Sequence, residues 1–92
     1  MRFYTYILYS KKLNKFYIGS TDDVNKRLAE HNRGKTTFTR TWFPWELVYK
    51  ETFETRSDAF KHERYIKAQK SSKYIRGLIE KFNSVDSEHP DL

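Results

Sequence analysis

The sequence predicts a small α+β domain, a three-stranded, largely antiparallel sheet flanked by helices. Two runs rich in aromatic and β-branched residues, 2–10 and 15–21, flank the polar segment Lys11-Lys12-Leu13-Asn14. That is the pattern of an antiparallel hairpin. A third alternating run opens at Trp45 behind Pro44, a residue suited to the start of a strand. Elsewhere the apolar residues recur at helical spacing.

In the hairpin, pairing Tyr6 with Tyr17 and Tyr9 with Asn14 leaves a loop of about four residues. Both phenol rings then lie on one face, because side chains alternate with period two. Asp22 and Asp23 supply an N-cap and first turn for a helix to about Asn32. Val24 and Leu28 form its apolar stripe. Arg27 and His31, four apart, share a side at the stripe's border. Gly34 suits the left-handed stop after that helix. In the third strand, to about Phe53, Trp45, Leu47 and Tyr49 alternate with Glu46, Val48 and Lys50. Thr55 or Ser57 caps a second helix to about Lys70, and Ser71 or Ser72 caps a third. Tyr74, Ile75, Leu78, Ile79 and Phe82 give the third helix an apolar face, and Gly77 weakens it modestly.

Ninety-two residues make one domain, expected over 1–82, with 83–92 a disordered polar tail. A hydrophobic fraction of 37% with 17% aromatic predicts a core of Phe, Tyr and Trp rather than of many aliphatics. The absence of cysteine excludes disulfides and thiolate metal sites and suits a cytoplasmic protein. No apolar run approaches the roughly 20 residues of a membrane span, and no signal-peptide pattern opens the chain. The net charge is +6, and residues 83–92 contribute three acids and no base, so residues 1–82 carry +9. With aromatics and threonines interleaved among the basic residues, that charge points to nucleic acid. Mere solubility is the plainer reading of the same charge.

Residues 35–44 combine hydroxyls, cations and aromatics. Lys35, Thr39 and Arg40 suit phosphate, and Phe38, Trp42 and Phe43 suit base stacking. Lys26 adds a cation on the first helix. Trp42 and Phe43 can equally cover one end of the core. Glu63 is the most informative single residue. At 100° per residue it falls at about 40°, among Ala59 at about 0°, Phe60 at about 100° and Ile66 at about 340°. A carboxylate on an apolar stripe is costly unless paired or metal-bound, so Glu63 is either a metal ligand or half of an ion pair, for instance with Arg27. Tyr6 and Tyr17 are either a packed cross-strand pair or chemically active phenols. His31 contacts phosphate, bonds to a tyrosine or simply lies on the helix surface, and His62 and His89 have only the surface reading. Tyr4, Tyr9 and Phe16 are assigned to packing. Gly19 lets backbone approach a ligand or helix closely.

Taken together, Tyr17-Ile18-Gly19, the degenerate Tyr4-Thr5-Tyr6, Arg27 and Glu63 resemble the GIY-YIG endonuclease family over residues 3 to about 70. The small stand-alone bacterial members are most similar. In the first half-motif Tyr4 and Thr5 replace the family's glycine and isoleucine. Asn83 is the nearby candidate for its later asparagine, and Phe38 stands where many members have tyrosine. The resemblance implies metal-dependent cleavage of DNA with Mg²⁺ or Mn²⁺ on Glu63 and the scissile phosphate on Arg27. Tyr6 or Tyr17 would be the general base, and His31 would be part of the site. Members of that family that cut specific sites usually carry additional recognition elements, and 92 residues leave little room for one, so a partner protein is expected to supply specificity to a monomer. A nucleic-acid-binding module without catalysis and a protein-interaction domain are the alternatives.

Overall fold

The structure, a computed structural model, describes residues 2–33 and 44–88, with side chains through Asn83. Its elements in chain order are β1 (Phe3–Ser10), β2 (Lys15–Thr21), α1 (Val24–Asn32), β3 (Trp45–Phe53), α2 (Arg56–Ala68) and α3 (Ser72–Glu88). The strands form one antiparallel sheet in the order β2-β1-β3, the α+β architecture expected.

The hairpin register differs from expectation. Tyr6 pairs with Gly19, Leu8 with Tyr17 and Ser10 with Lys15, so the loop slides to residues 11–14. Local bonds in the turn hold it there. The Tyr9 hydroxyl donates to Asn14 Oδ1 at 2.8 Å, and the Leu13 N–H donates to Ser10 Oγ at 3.3 Å. Asn14 takes a left-handed φ of 52°, which asparagine tolerates better than most residues. An even shift leaves every side chain on its expected face. Tyr6 and Tyr17 therefore still share one.

β3 departs from strict alternation. Ile7 pairs with Tyr49 but Leu8 pairs with Leu47, so Val48 is an extra residue at a bulge. A bulge moves the residues beyond it to the other face. Trp45 accordingly packs with Tyr6, Leu8 and Val24 beneath α1. Tyr49, expected on the same face as Trp45, packs instead with Ile7, Ile66 and Ile75 beneath α2 and α3. The sheet is thus covered by α1 on one side and by α2 and α3 on the other. Its two cores are aromatic-rich.

The caps follow local chemistry. Asp23 Oδ1 accepts from the Lys26 N–H at 3.0 Å, and Thr55 Oγ1 accepts from the Asp58 N–H at 3.0 Å. Ser71 Oγ accepts from the Tyr74 N–H at 3.1 Å at the start of α3. The expected disordered tail is corrected in part, because α3 continues through Glu88. Helix propagation adds one hydrogen bond per residue fixed, and neither proline nor glycine interrupts the chain between Gly77 and Pro90.

α2 is fastened to the sheet by a buried bond from Thr5 Oγ1 to the Ala59 carbonyl, 2.6 Å long. Thr5→Val keeps the shape and removes that bond, which is worth about 1 kcal/mol. The melting temperature should fall by about 4–8 °C with the fold retained by circular dichroism.

Candidate active site

The site lies on the α1 side of the β1–β2 pair. Tyr6 is completely buried, and its ring extends across its cross-strand partner Gly19. A Cβ at residue 19 would stand 2.6 Å from Tyr6 Oη and 2.7 Å from Cζ. Gly19 is therefore a matter of space, and what approaches it is a side chain rather than the ligand or helix expected. Tyr17 lies beside Tyr6, with ring centroids 6.3 Å apart. His31 packs on Tyr17 at 4.5 Å, and Trp45 meets both His31 and Tyr17 edge-on.

Arg27 reaches this group from α1. Neither Tyr6 Oη nor Arg27 Nε, both enclosed, finds a hydrogen-bond partner among the described residues. Burial pushes the Tyr6 phenol above its ordinary range. The neighbouring guanidinium pulls the other way, and Tyr17 and Glu63 raise it further. The guanidinium is thus close enough to attract the phenol and too poorly aligned to satisfy it. Tyr6 in turn holds Arg27 more firmly protonated, against the cost of burial. Tyr6 is therefore a proton donor in this arrangement. Arg27 does pull the phenol down, but burial outweighs the cation.

His31 is fully buried rather than a surface residue. Burial first, and Arg27 second, push its pKa below the ordinary value, while Glu30 opposes them. It is neutral at pH 7. Glu30 also pairs with Arg27 at 3.4 Å.

Glu63 is 8% exposed, but it stands at the edge of the buried stripe rather than in its middle, because Phe60 is 49% exposed. Its partner is not Arg27. Lys67, one turn on, places Nζ 2.6 Å from Glu63 Oε2, and the Lys67 side chain is half exposed. Although α2 lies across the sheet from α1, Glu63 acts electrostatically on Tyr6. β2 is an edge strand, so the four groups Tyr6, Tyr17, Arg27 and Glu63 gather around one free margin of the sheet. Among the described residues no three His, Cys, Asp or Glu side chains cluster as a metal cage.

Lys26 is exposed on α1, while Lys35, Thr39 and Arg40 lie outside the described residues. Asn83 is not part of the constellation. It lines a groove with Tyr9, Phe16 and Arg76 on the α3 side. Sequence reasoning missed Asn32, whose amide accepts from the Trp45 N–H at 2.6 Å and donates to the Trp45 carbonyl at 3.3 Å. That clamp seats the ring that backs His31 and Tyr17. His62, read as a surface residue, sits 3.3 Å from Tyr49 Oη and 3.5 Å from Glu51 Oε1. This second polar cluster lies beneath α2.

Comparison with known proteins matches residues 2–75 to the GIY-YIG catalytic domain. A UPF0213 protein of Staphylococcus aureus strain Mu50 is 41% identical over 66 residues, covering 71% of this chain and 80% of that one. The strain MW2 protein aligns equally well. The solution NMR structure of the UPF0213 protein BH0048 from Bacillus halodurans superposes with a TM-score of 0.55 at 32% identity, covering 87% of this chain and 84% of that one. Among the described residues no helix is long and apolar enough to cross a membrane.

Two outcomes check the geometry. Gly19→Ala should displace the Tyr6 ring and cost about 1–3 kcal/mol as overpacking, read as a lower melting temperature and a perturbed Tyr6 ring in NMR. At Gly77 a Cβ would meet nothing within 4 Å, so Gly77→Ala should instead gain about 0.5–1 kcal/mol. For His31, protonation is harder in the folded than in the unfolded chain. Stability should be full above about pH 6.5 and fall as the pH drops below it. His31→Gln should flatten that fall in melts between pH 7 and 5.

Proposed function

The chain belongs to the GIY-YIG family, and from that premise we propose that it is a cytoplasmic, divalent-metal-dependent endonuclease that hydrolyses DNA phosphodiester bonds. One observation carries the reading. The Tyr6 phenol and the Arg27 guanidinium act on each other, yet Tyr6 Oη and Arg27 Nε, both enclosed, have no well-aligned partner among the described residues, and an orphaned buried polar group costs about 1–3 kcal/mol. The Arg27 side chain is 40% exposed, so a phosphodiester oxygen that enters as this side chain and the Tyr6 ring part is an acceptor for both, and a planar guanidinium matches phosphate geometry better than an ammonium does.

Burial divides the roles of the two phenols, Tyr6 being fully buried and Tyr17 only partly so. Tyr6, held protonated by its burial, donates to the phosphate and steadies the charge that develops there. Tyr17, beside the same guanidinium, takes the proton of the attacking water on its Oη as it passes its own phenolic proton to solvent. Neutral His31 backs the Tyr17 ring and Trp45 keeps bulk water from that side. The two replaced positions of the first half-motif do not disturb this set. Thr5 turns towards α2, and Tyr4 packs at the rim of the α1-side core.

The residues present fit a magnesium-type ion. Such an ion keeps several waters and is held by one or two carboxylates together with substrate phosphate. Glu63 is the carboxylate that would hold it, with Lys67 as its partner in the metal-free chain. When bound, the ion would supply Lewis-acid stabilisation of the phosphate.

The test is cleavage of duplex, flap and single-stranded DNA with Mg²⁺ or Mn²⁺. Tyr17→Phe should lose about a hundredfold or more, the scale of a general base. Tyr6→Phe should lose only about tenfold, the scale of one hydrogen bond. The reverse order would make Tyr6 the base. Arg27→Lys should fall by at least about a hundredfold, since the charge remains but the fork is lost. Glu63→Gln should abolish cleavage and the rise in melting temperature that Mn²⁺ gives the unaltered protein. In chelator it should cost at most about 0.5 kcal/mol, because its partner Lys67 is half exposed and is not stranded. Salt-sensitive DNA binding without cleavage under every condition would leave only the binding module.

A further inference from the structure

We propose that the groove between the edge of β2 and the α2–α3 turn is a second nucleic-acid contact, gripping a backbone phosphate beyond the one that is cut. This rests on the nuclease reading above and extends the path of the bound strand past the site.

The groove is a cavity of about 340 Å³. Phe16 and Ile66 contribute to an apolar floor, and Lys15, Lys67 and Lys70 stand at its rim. Among the described lining residues there is no carboxylate. Lys67 is already paired with Glu63, and with Lys15 and Lys70 on the same rim it makes a basic margin that attracts a polyanion. An apolar floor beneath a basic rim suits a nucleotide, with sugar or base on the floor and phosphate on the rim.

Continuity with the site favours a nucleic acid strand over an acidic protein. Lys67 belongs to both places. It lines the groove and holds Glu63 at 2.6 Å, so a strand that reaches Glu63 passes this rim as it rounds the β2 edge.

Lys70 adds an independent sign. It follows the C-cap Gln69 of α2 and takes a left-handed φ of 48°. Glycine, or sometimes asparagine, is the usual residue at such a position, because a Cβ is strained there. A lysine is conformationally poor at this point, and strain of this kind gathers at functional sites. What lysine brings that glycine lacks is a cation at the mouth of the groove.

The experiment measures DNA affinity against salt by fluorescence anisotropy, alongside thermal melts. The variants are Lys70→Gly, Lys15→Gln and, as a control on the exposed surface of α3, Lys81→Gln. Lys70→Gly should raise the melting temperature by about 4 °C and yet weaken DNA binding about fivefold at 0.1 M salt. It should also lower the slope of log affinity against log salt by about 0.7–0.9. Lys15→Gln should show the same loss of slope, and Lys81→Gln should leave the slope unchanged. Lys15 keeps the proposal testable should Lys70→Gly disturb the α2–α3 turn.

Unchanged slopes for both groove variants, in a protein that itself binds DNA steeply, would overturn the groove and leave the nuclease reading standing. Loss of binding to poly-glutamate with DNA binding intact would overturn it in favour of an acidic protein partner. A flat salt response of the unaltered protein would remove nucleic acid altogether, and both readings with it.

Discussion

A tyrosine ring laid across the glycine of the neighbouring strand is the constraint on which the site depends. Tyr6 can occupy that place only because Tyr6 and Gly19 are cross-strand partners and residue 19 has no Cβ to meet Oη at 2.6 Å. The pairing is set some distance away, in the 11–14 turn, where Asn14 takes the left-handed conformation and receives the Tyr9 hydroxyl. Turn chemistry thus determines register, register determines which residue lies beneath the ring, and the empty space there determines where the phenol ends. Arg27, His31 and Glu63 are arranged around that end point from two different helices.

The polar groups in this arrangement work against stability. Tyr6 Oη and Arg27 Nε are enclosed without partners among the described residues, His31 is buried with its pKa depressed, and Glu63 is 8% exposed. Small domains have little core with which to offset such costs. Here the compensation is aromatic and local. Tyr17, His31 and Trp45 pack as a ring cluster, Asn32 ties Trp45 to the end of α1, and Thr5 ties α2 to β1. Each lies next to a costly group, so the rigidity is concentrated where it holds the donors in place.

Much of the fold was legible because it is written in short-range patterns. The hairpin, the Asp23 and Thr55 caps and the apolar faces of α1 and α3 all follow from spacing within a few residues. Register was not legible, because Tyr6 opposite Tyr17 and Tyr6 opposite Gly19 satisfy the same period-two pattern. The bulge at Val48 was hidden for a related reason, since one extra apolar residue leaves an alternating run looking alternate. Among site residues, the carboxylate on the α2 stripe announced itself. Its partner did not, because Lys67 one turn on and Arg27 on another helix are both cations that could reach it. The roles of Asn32 and His62 depend on long-range packing against β3 and left no local signal. Tyr6 is the case where chemistry outran pattern. Its motif position is read at once, but whether its phenol gives or takes a proton depends on how deeply the ring is buried.

The gathering of chemistry at β2 follows from topology. In the order β2-β1-β3, β2 has a free edge, and an exposed edge invites pairing with another chain. Lys15 charges the start of that edge, the α2–α3 turn covers its lower face, and Tyr17 with Gly19 occupies its upper face. One margin thereby carries groups from both sides of the sheet, which a central strand in so small a domain is unable to do. Arg27 approaches from the α1 side and Glu63 from the α2 side, and they act on the same phenol because no further strand lies between them. In this small domain a guarded sheet edge lets a cation, a carboxylate and two phenols converge from both faces of one sheet.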